Sequence, residues 1–366
     1  MSEVHTIDKL LPSPVTLRYI LVHLLQKSTY LILIEYLKSN YWRFLGKGYD
    51  WRMSLNSSKI CAAEINKRLK REKYDCIWVE KSCVSLRHLK TTIPVIYESD
   101  ATFHAMVDYY PWFTGLSRSA LRNGEELELT ALQRADAVIV TAEWAKKSAI
   151  KDYAVKENKI HVIPSPPNLD HVPEREAALQ IKLDDVCTLL FIGTDWRRKG
   201  GGIAVATAEE LMHLGIQVRL IICGCTPPER YVKNRLLEIH GYLDKNSKNG
   251  RTTLVHLYMR AHFFILPTRA ECMGISLSEA AAFGLPLIAT DTGGVSTIVK
   301  NGKNGILLGY NDSPVFIAMK IYELWKNKEK YRAMCMESRN YYDEKICADV
   351  WATSVNAIIE ELVTRH

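Results

Sequence analysis

The stretch FFILPTRAECMGISLSEAAAFGLPLIATDTGG, residues 263–294, decides how this chain is read. Residues 263–266 form an apolar run of the length of a buried parallel strand. Residues 267–274 read as a loop carrying one carboxylate, Glu271. A helix rich in Ala and Leu is expected over about 276–283, starting near a hydroxyl residue and stopping at Gly284. Glu279 stands about one turn inside it. Residues 285–290 read as the next strand, and Gly293-Gly294 turns the chain again. The unit is strand, loop, helix, strand.

A loop that follows a parallel strand sits at the carboxyl edge of the sheet, where open α/β sheets bind their ligands. The backbone N–H groups of Ile275, Ser276 and Leu277 would face that crevice and favour an anion. Glu271 would stand above the anion. Glu279 would reach outward and accept from two neighbouring hydroxyls, such as those of a ribose. Two acids around a phosphate-binding helix start suit a sugar joined to a nucleoside through a diphosphate.

The set Glu271, Gly274, Glu279, Ala280, Gly284 and Pro286, with Gly293-Gly294 behind it, resembles the donor-site signature of the retaining glycosyltransferases of the GT-B fold, family 4 and group 1. Met273 stands where that family often has Phe. The resemblance implies an α/β protein of two Rossmann-like parallel-sheet domains facing a cleft. The implied domains are 1–168 on the acceptor side, 169–345 for the nucleotide sugar, and a C-terminal helix, 346–366, crossing back to the first.

Outward from the deciding stretch, residues 161–170, HVIPSPPNLD, form the clearest boundary, stiffened by three prolines. Pro166 stands where the family's interdomain segment usually has glycine. Residues 188–193, TLLFIG, then read as a buried strand, 194–202 as the loop TDWRRKGGG, and about 203–214 as a helix ending at Gly215. Cationic side chains before a helix start, with glycines allowing close backbone approach, suit a diphosphate. The spacing is not that of a P-loop. By resemblance, Arg198 and Lys199 map onto the family's diphosphate clamp, Gly193 and Thr194 line the donor, and Tyr242 and Leu243 edge the nucleobase pocket. Thr194 stands where the family often has arginine. Residues 218–224 read as a strand, and 241–244 are expected to follow a helix. Leu254, Tyr258 and Ala261 share one helical face and are expected in the core, and Asn301-Gly302 and Asn304-Gly305 mark turns.

In the first half, amphipathic helical stretches are expected near 17–26, 30–39 and 57–72, and strands at 76–79, 93–98 and 137–141. Directly after the second of these strands stands Asp100, with His104 about one turn on. In the resembling family this edge commonly holds a histidine at the donor sugar. Asp100 stands nearest that position and equally suits a helix cap for Ala101 onward; His104 is an acceptor-side candidate and otherwise an ordinary surface histidine. Residues 128–144 resemble the family's helix–strand step, with Thr141 as the hydroxyl that ends the strand. Family members open with a strand, a glycine-rich loop and a long helix; this chain opens MSEVHTID and has no such loop before Gly46. The expectation is a truncated start or a reduced N-terminal domain.

The totals agree with a globular protein of two domains: 366 residues, 47% hydrophobic and 24% charged. Nine cysteines without paired CxxC units suit a packed, reduced, cytosolic set. No signal peptide is visible, and the apolar region 19–37 is broken by Lys27 and Glu35. The net charge is +7, and residues 1–100 hold 16 Lys and Arg against 10 Asp and Glu. That excess suits a peripheral contact with an anionic membrane surface or a solvated helical face; nucleic-acid binding has no motif behind it. The reading is a retaining, metal-independent hexosyltransferase. Its partners are a nucleotide sugar and a glycan, lipid-linked or small-molecule acceptor, with no cofactor. The alternative is a nucleotide-sugar-binding protein impaired in catalysis by its shortened start.

Overall fold

The computed structural model describes residues 27–180 and 185–365. The helix expected at 17–26 and the opening MSEVHTID lie outside them. Two compact units emerge among the described residues, one drawn from 27–140, 145–162 and 356–365, the other from 141–144, 163–180 and 185–355.

In the first unit, helices α1 (Lys27–Phe44) and α2 (Leu55–Leu69) precede strands β1 (Ile77–Glu80) and β2 (Val95–Ser99). Helix α3 (Arg118–Arg134) leads into β3 (Ala137–Val140), and α4 (Glu143–Tyr153) into β4 (Ile160–Val162). The sheet runs β1-β2-β3-β4 and every pairing is parallel. The run taken as the start of the linker is partly strand: His161 pairs in register with Ile139. Two β-branched neighbours, Ile160 and Val162, suit that edge strand, and the prolines begin only after it.

The second unit counts β5 (Cys187–Ile192), α5 (Gly201–His213), β6 (Val218–Cys223), β7 (Leu237–Gly241), α6 (Lys248–Arg260) and β8 (Phe263–Leu266). It continues with α7 (Ile275–Ala282), β9 (Leu287–Thr290), β10 (Gly305–Leu308), α8 (Pro314–Lys326) and α9 (Lys328–Tyr341); the last helix, α10 (Ala348–Arg365), is divided, its residues from 356 on belonging to the first unit. The sheet order is β10-β9-β8-β5-β6-β7, again all parallel. This is the doubly wound arrangement, and its strand order reverses between β5 and β8. Residues of β8 and β9 are all buried, as expected of strands covered on both faces by helices. Leu254, Tyr258 and Ala261 join the core as expected.

Two local readings change. Residues 241–244 follow strand β7 rather than a helix. Gly305 opens β10 instead of closing a turn, because the buried Asn304 side chain, bonded to Lys300 N–H and Ile298 C=O, already ties off the loop. All nine cysteines are free thiols. Among the described residues, no helix is long and apolar enough to cross a membrane.

Among the buried acids of the first unit, Glu128 is the one set against the Tyr97 hydroxyl. Glu128 on α3 is 2% exposed and accepts from the Tyr97 hydroxyl at 3.2 Å. Burial raises its pKa to about 8, against the smaller opposing effect of hydrogen bonds from Tyr97 and Cys83. The folded protein therefore keeps a proton that the unfolded chain gives up above about pH 4.5. Stability falls as pH rises between those values, by about 1.4 kcal/mol per pH unit, and levels off above the folded value. Denaturant melts of Glu128→Gln and the parent chain at pH 5 and pH 8 should show the variant gaining a few kcal/mol on its parent over that interval (about 1.4 kcal/mol per unit). A constant difference across the range would contradict a proton held on Glu128.

Candidate functional site

Strands β5 and β8 are neighbours, with Leu189 opposite Phe263 and Leu190 opposite Phe264. The loops that leave their carboxyl ends, 193–200 and 267–274, are consequently adjacent, one on each side of the reversal in strand order. The first loop coils back on itself: Lys199 N–H donates to Asp195 C=O at 2.9 Å and Arg198 N–H to the Asp195 carboxylate at 3.0 Å. At its end Gly200 takes φ +80°, and a Cβ there would fall 2.0 Å from the Pro267 carbonyl oxygen. Only glycine allows the second loop to lie that close.

The two loops are laced together by backbone and side chain. Arg269 N–H donates to Arg198 C=O at 2.7 Å, and the Thr268 hydroxyl to the same oxygen at 3.1 Å. The Arg198 guanidinium returns a hydrogen bond to Ala270 C=O at 2.8 Å and lies 3.7 Å from the Glu271 carboxylate. Lys199 Nζ forms an ion pair with Glu271, both side chains 11% exposed. Charges so nearly withdrawn from water persist only when paired, and removing one partner of such a pair costs about 3–5 kcal/mol. Glu271 is further held from behind: its C=O accepts from Gly294 N–H at 3.1 Å, and a Cβ on Gly294 would meet the Cys272 carbonyl oxygen at 1.8 Å. The paired glycines at 293–294 thus let the next turn close against the Glu271 loop.

Helix α7 begins directly after this loop, at Ile275 rather than Ser276. Its cap is Gly274 in the left-handed region, φ +91°, with no hydroxyl bond. Leu277 N–H donates to Gly274 C=O at 2.8 Å, so of the three N–H groups expected to await an anion, those of Ile275 and Ser276 remain at the helix start. Met273 is 5% exposed and belongs to the core.

Glu279 differs from its expected placement. Residues 276–282 of α7 are all buried, and Glu279 is 1% exposed rather than reaching into solvent. The Tyr258 hydroxyl donates to it at 2.8 Å, and Lys245 Nζ forms an ion pair with it. Burial and the adjacent carboxylate raise Tyr258 well above the ordinary phenol range, so its hydroxyl stays a donor. Lys245 lies just past Tyr242 and Leu243 in the loop after β7, and that loop carries Tyr242 exposed at the same sheet edge. Sequence reasoning missed Lys245 and gave Tyr258 only a packing role. A lysine shortly after the 241–244 segment was the available signal for the first; nothing in a helical repeat reveals that one buried Tyr carries a polar duty.

Gly193 and Thr194 follow β5 as expected, Gly193 beneath the stem of Lys199 and Thr194 exposed. The remaining two candidates lie in the first unit. Asp100, after β2, pairs with Lys81 at 3.2 Å, and the short helix Phe103–Met106 is capped by Thr102 instead. Thr102 wins because its hydroxyl stands three residues before the Ala105 N–H it accepts from, the spacing that a cap requires. His104 is more than half exposed, and its Nδ1 lies 2.9 Å from Glu125. A cavity of about 660 Å³ in the second unit, lined in part by Lys300, Asn301, Glu337 and Tyr341, includes none of the expected donor residues.

Comparison with known proteins places this geometry. A family model described as Glycosyl transferases group 1 matches residues 176–341, and one described as Glycosyltransferase Family 4 matches residues 37–171. A D-inositol 3-phosphate glycosyltransferase of Acidothermus cellulolyticus is 30% identical over 194 residues, 48% of this chain and 42% of that protein. The chain spans about half the length of the curated relatives it matches. Among solved structures, the sucrose-phosphate synthase of Thermosynechococcus elongatus superposes with a TM-score of 0.64 at 19% identity, covering 85% of this chain and 79% of that one. Anabaena Alr3699/HepE in complex with UDP and glucose superposes with a TM-score of 0.60 at 16% identity, over 82% and 81% of the two chains. The two family models meet end to end along most of this sequence, and the chain belongs to the glycosyltransferases of the GT-B fold.

Proposed function

We propose that this protein is a retaining, metal-independent hexosyltransferase that moves a hexose-type sugar from a nucleotide-diphosphate sugar to a glycan, lipid-linked or small-molecule acceptor. The observation that carries the reading is the Lys199–Glu271 ion pair joining two loops at the reversal point of one parallel sheet. A cation, an acid and the start of a buried helix meet there within a few residues of chain. That combination fits a sugar on one side and a diphosphate on the other.

In this reading the diphosphate lies against Lys199, Arg198 and the N–H groups of Ile275 and Ser276. Negative charge grows on the leaving phosphate as the bond to the anomeric carbon breaks, and these groups stabilise it more than they stabilise the bound ground state. Glu271 holds sugar hydroxyls and aims Lys199 through their ion pair. The acceptor oxygen bonds to the anomeric carbon on the face the diphosphate leaves, its proton passing to a leaving phosphate oxygen, so configuration is retained. Lys199 and Arg198 supply the positive charge that a divalent ion supplies in other transferases. Tyr242 and Leu243 border the base, and Gly193 and Thr194 the phosphates. Asp100 and His104 enter only as acceptor-side candidates. Support for a nucleotide sugar also comes from the fold neighbour whose structure contains UDP and glucose.

Glu279 takes the ribose. Its carboxylate is held in place by Tyr258, and the ribose hydroxyls would take over the positions that Lys245 now fills.

Turnover of the best donor from a labelled nucleotide-sugar panel should fall about a hundredfold or more in Lys199→Ala and in Glu271→Gln, the scale of losing one preorganised electrostatic contact. Full rate in either folded variant removes that residue from the mechanism. The ribose assignment has its own check in thermal-shift titration. Glu279→Gln should weaken protection by a nucleoside diphosphate roughly tenfold, as for a lost charge-assisted hydrogen bond. Protection by the 2′,3′-dideoxy analogue should be the same in parent and variant; equal losses for both ligands would show that Glu279 does not meet the ribose.

A further inference from the structure

Helix α1 is amphipathic the wrong way round for a helix on a water-soluble surface. The face turned toward its own unit is largely polar. Glu35, 2% exposed, accepts from the Tyr49 hydroxyl at 2.5 Å and from Asn56 at 2.7 Å, and the Ser39 hydroxyl donates to Tyr49 C=O at 2.9 Å. Ile32 is the apolar residue buried beside them. The opposite face carries Tyr30, Ile34, Leu37, Tyr41 and Phe44, whose four-three-four-three spacing aligns them along one stripe. These five are between 47% and 88% exposed. A continuous exposed apolar stripe of that kind marks a surface that meets something other than water.

The charges beside the stripe say what it meets. Over residues 30–47 the single acid, Glu35, is buried and ion-paired with Lys38 at 2.9 Å, so the cations left outward beside the stripe are Arg43 and Lys47. The stripe itself mixes aliphatic residues with Tyr and Phe, the composition of helices that lie at the boundary between head groups and acyl chains. Pairing with a second copy would bring the cationic flanks of two identical helices together and cost like-charge repulsion. An anionic surface gains from the same charges.

We propose that α1 is a membrane-docking helix that lies flat on an anionic lipid bilayer, with the stripe from Tyr30 to Phe44 in the interface and Arg43 and Lys47 on lipid phosphates. The polar inner face explains how the helix stays fixed to its unit while its apolar side is left outward: Glu35 and Ser39 anchor it by hydrogen bonds to Tyr49 and Asn56. The proposal is independent of the donor assignment. A helix docked this way would bring the first unit to a lipid-borne acceptor, which is one of the acceptor classes above.

Vesicle flotation of the full chain tests this directly. The parent protein should float with vesicles of phosphatidylglycerol and phosphatidylcholine and remain below vesicles of phosphatidylcholine alone. Ile34→Ser/Leu37→Ser/Phe44→Ser, all surface changes, should keep the parent melting profile and bind at least about tenfold more weakly. Arg43→Gln/Lys47→Gln should lose roughly fivefold in affinity for each charge removed at low salt. The proposal is overturned if the folded parent ignores anionic vesicles or if the serine variant floats like the parent. It is equally overturned if the serine changes convert a dimer to a monomer in sedimentation and leave flotation untouched, because the stripe then belongs to a second copy.

Discussion

Everything in the second unit that bears on chemistry depends on one neighbour relation, that of β5 with β8. Parallel strands wound in opposite senses from a common centre leave a crevice at the reversal, and no helix crosses it. The loops after β5 and β8 are therefore forced to share a space that other loop pairs along the sheet do not. Their contact is then specified by the backbone hydrogen bond from Arg269 N–H to Arg198 C=O, by the Arg198 guanidinium on Ala270 C=O, by Gly200 against Pro267, and by the Lys199–Glu271 ion pair. A buried ion pair contributes little net stability compared with an apolar pair of the same shape. What the pair does in the fold is hold the two loops at one fixed spacing, with both side chains 11% exposed.

The same logic recurs one turn further along. Glu279 is buried and ionisable, and it is satisfied by a tyrosine from the core and a lysine from the loop after β7. The tyrosine is fixed by packing between Phe264 and Phe283. The lysine is a third exposed and sits on a mobile type of side chain. One partner is thus fixed by packing, whereas the other reaches in from a loop and is partly exposed.

Much of this was legible in the residues themselves. The buried strands announced themselves as short apolar runs, and the loop carrying Glu271 followed from Pro267, Gly274 and Gly284. Both loops were assigned to one donor site, the first of them by its resemblance to the family's diphosphate clamp, and the ion pair between residues 72 positions apart brings them together. What escaped was everything that depends on which way a side chain turns inside a crowded helix. Glu279 looks like a surface acid in the sequence, because a carboxylate in an alanine-rich helix ordinarily faces water; here seven successive residues of α7 are buried, and the acid has no outward side to choose. Asp100 suited a cap and a donor-sugar contact equally, and Thr102 is the residue that stands at the spacing capping requires. Helix α1 hid its orientation for a related reason. Its apolar stripe was visible as periodicity, and periodicity alone assigns such a stripe to the core, whereas Glu35 and Ser39 take the inner side through hydrogen bonds that no hydropathy pattern encodes.

The account stands on two loops acting as a single receptor for one activated sugar. Hydrogen–deuterium exchange of the full chain, with and without a saturating nucleoside diphosphate chosen by thermal shift, reads both loops in one experiment. The account predicts that backbone amides in 194–201 and in 270–277 gain protection together. Protection confined to one loop, or found elsewhere while the melt shift shows the ligand bound, would contradict it.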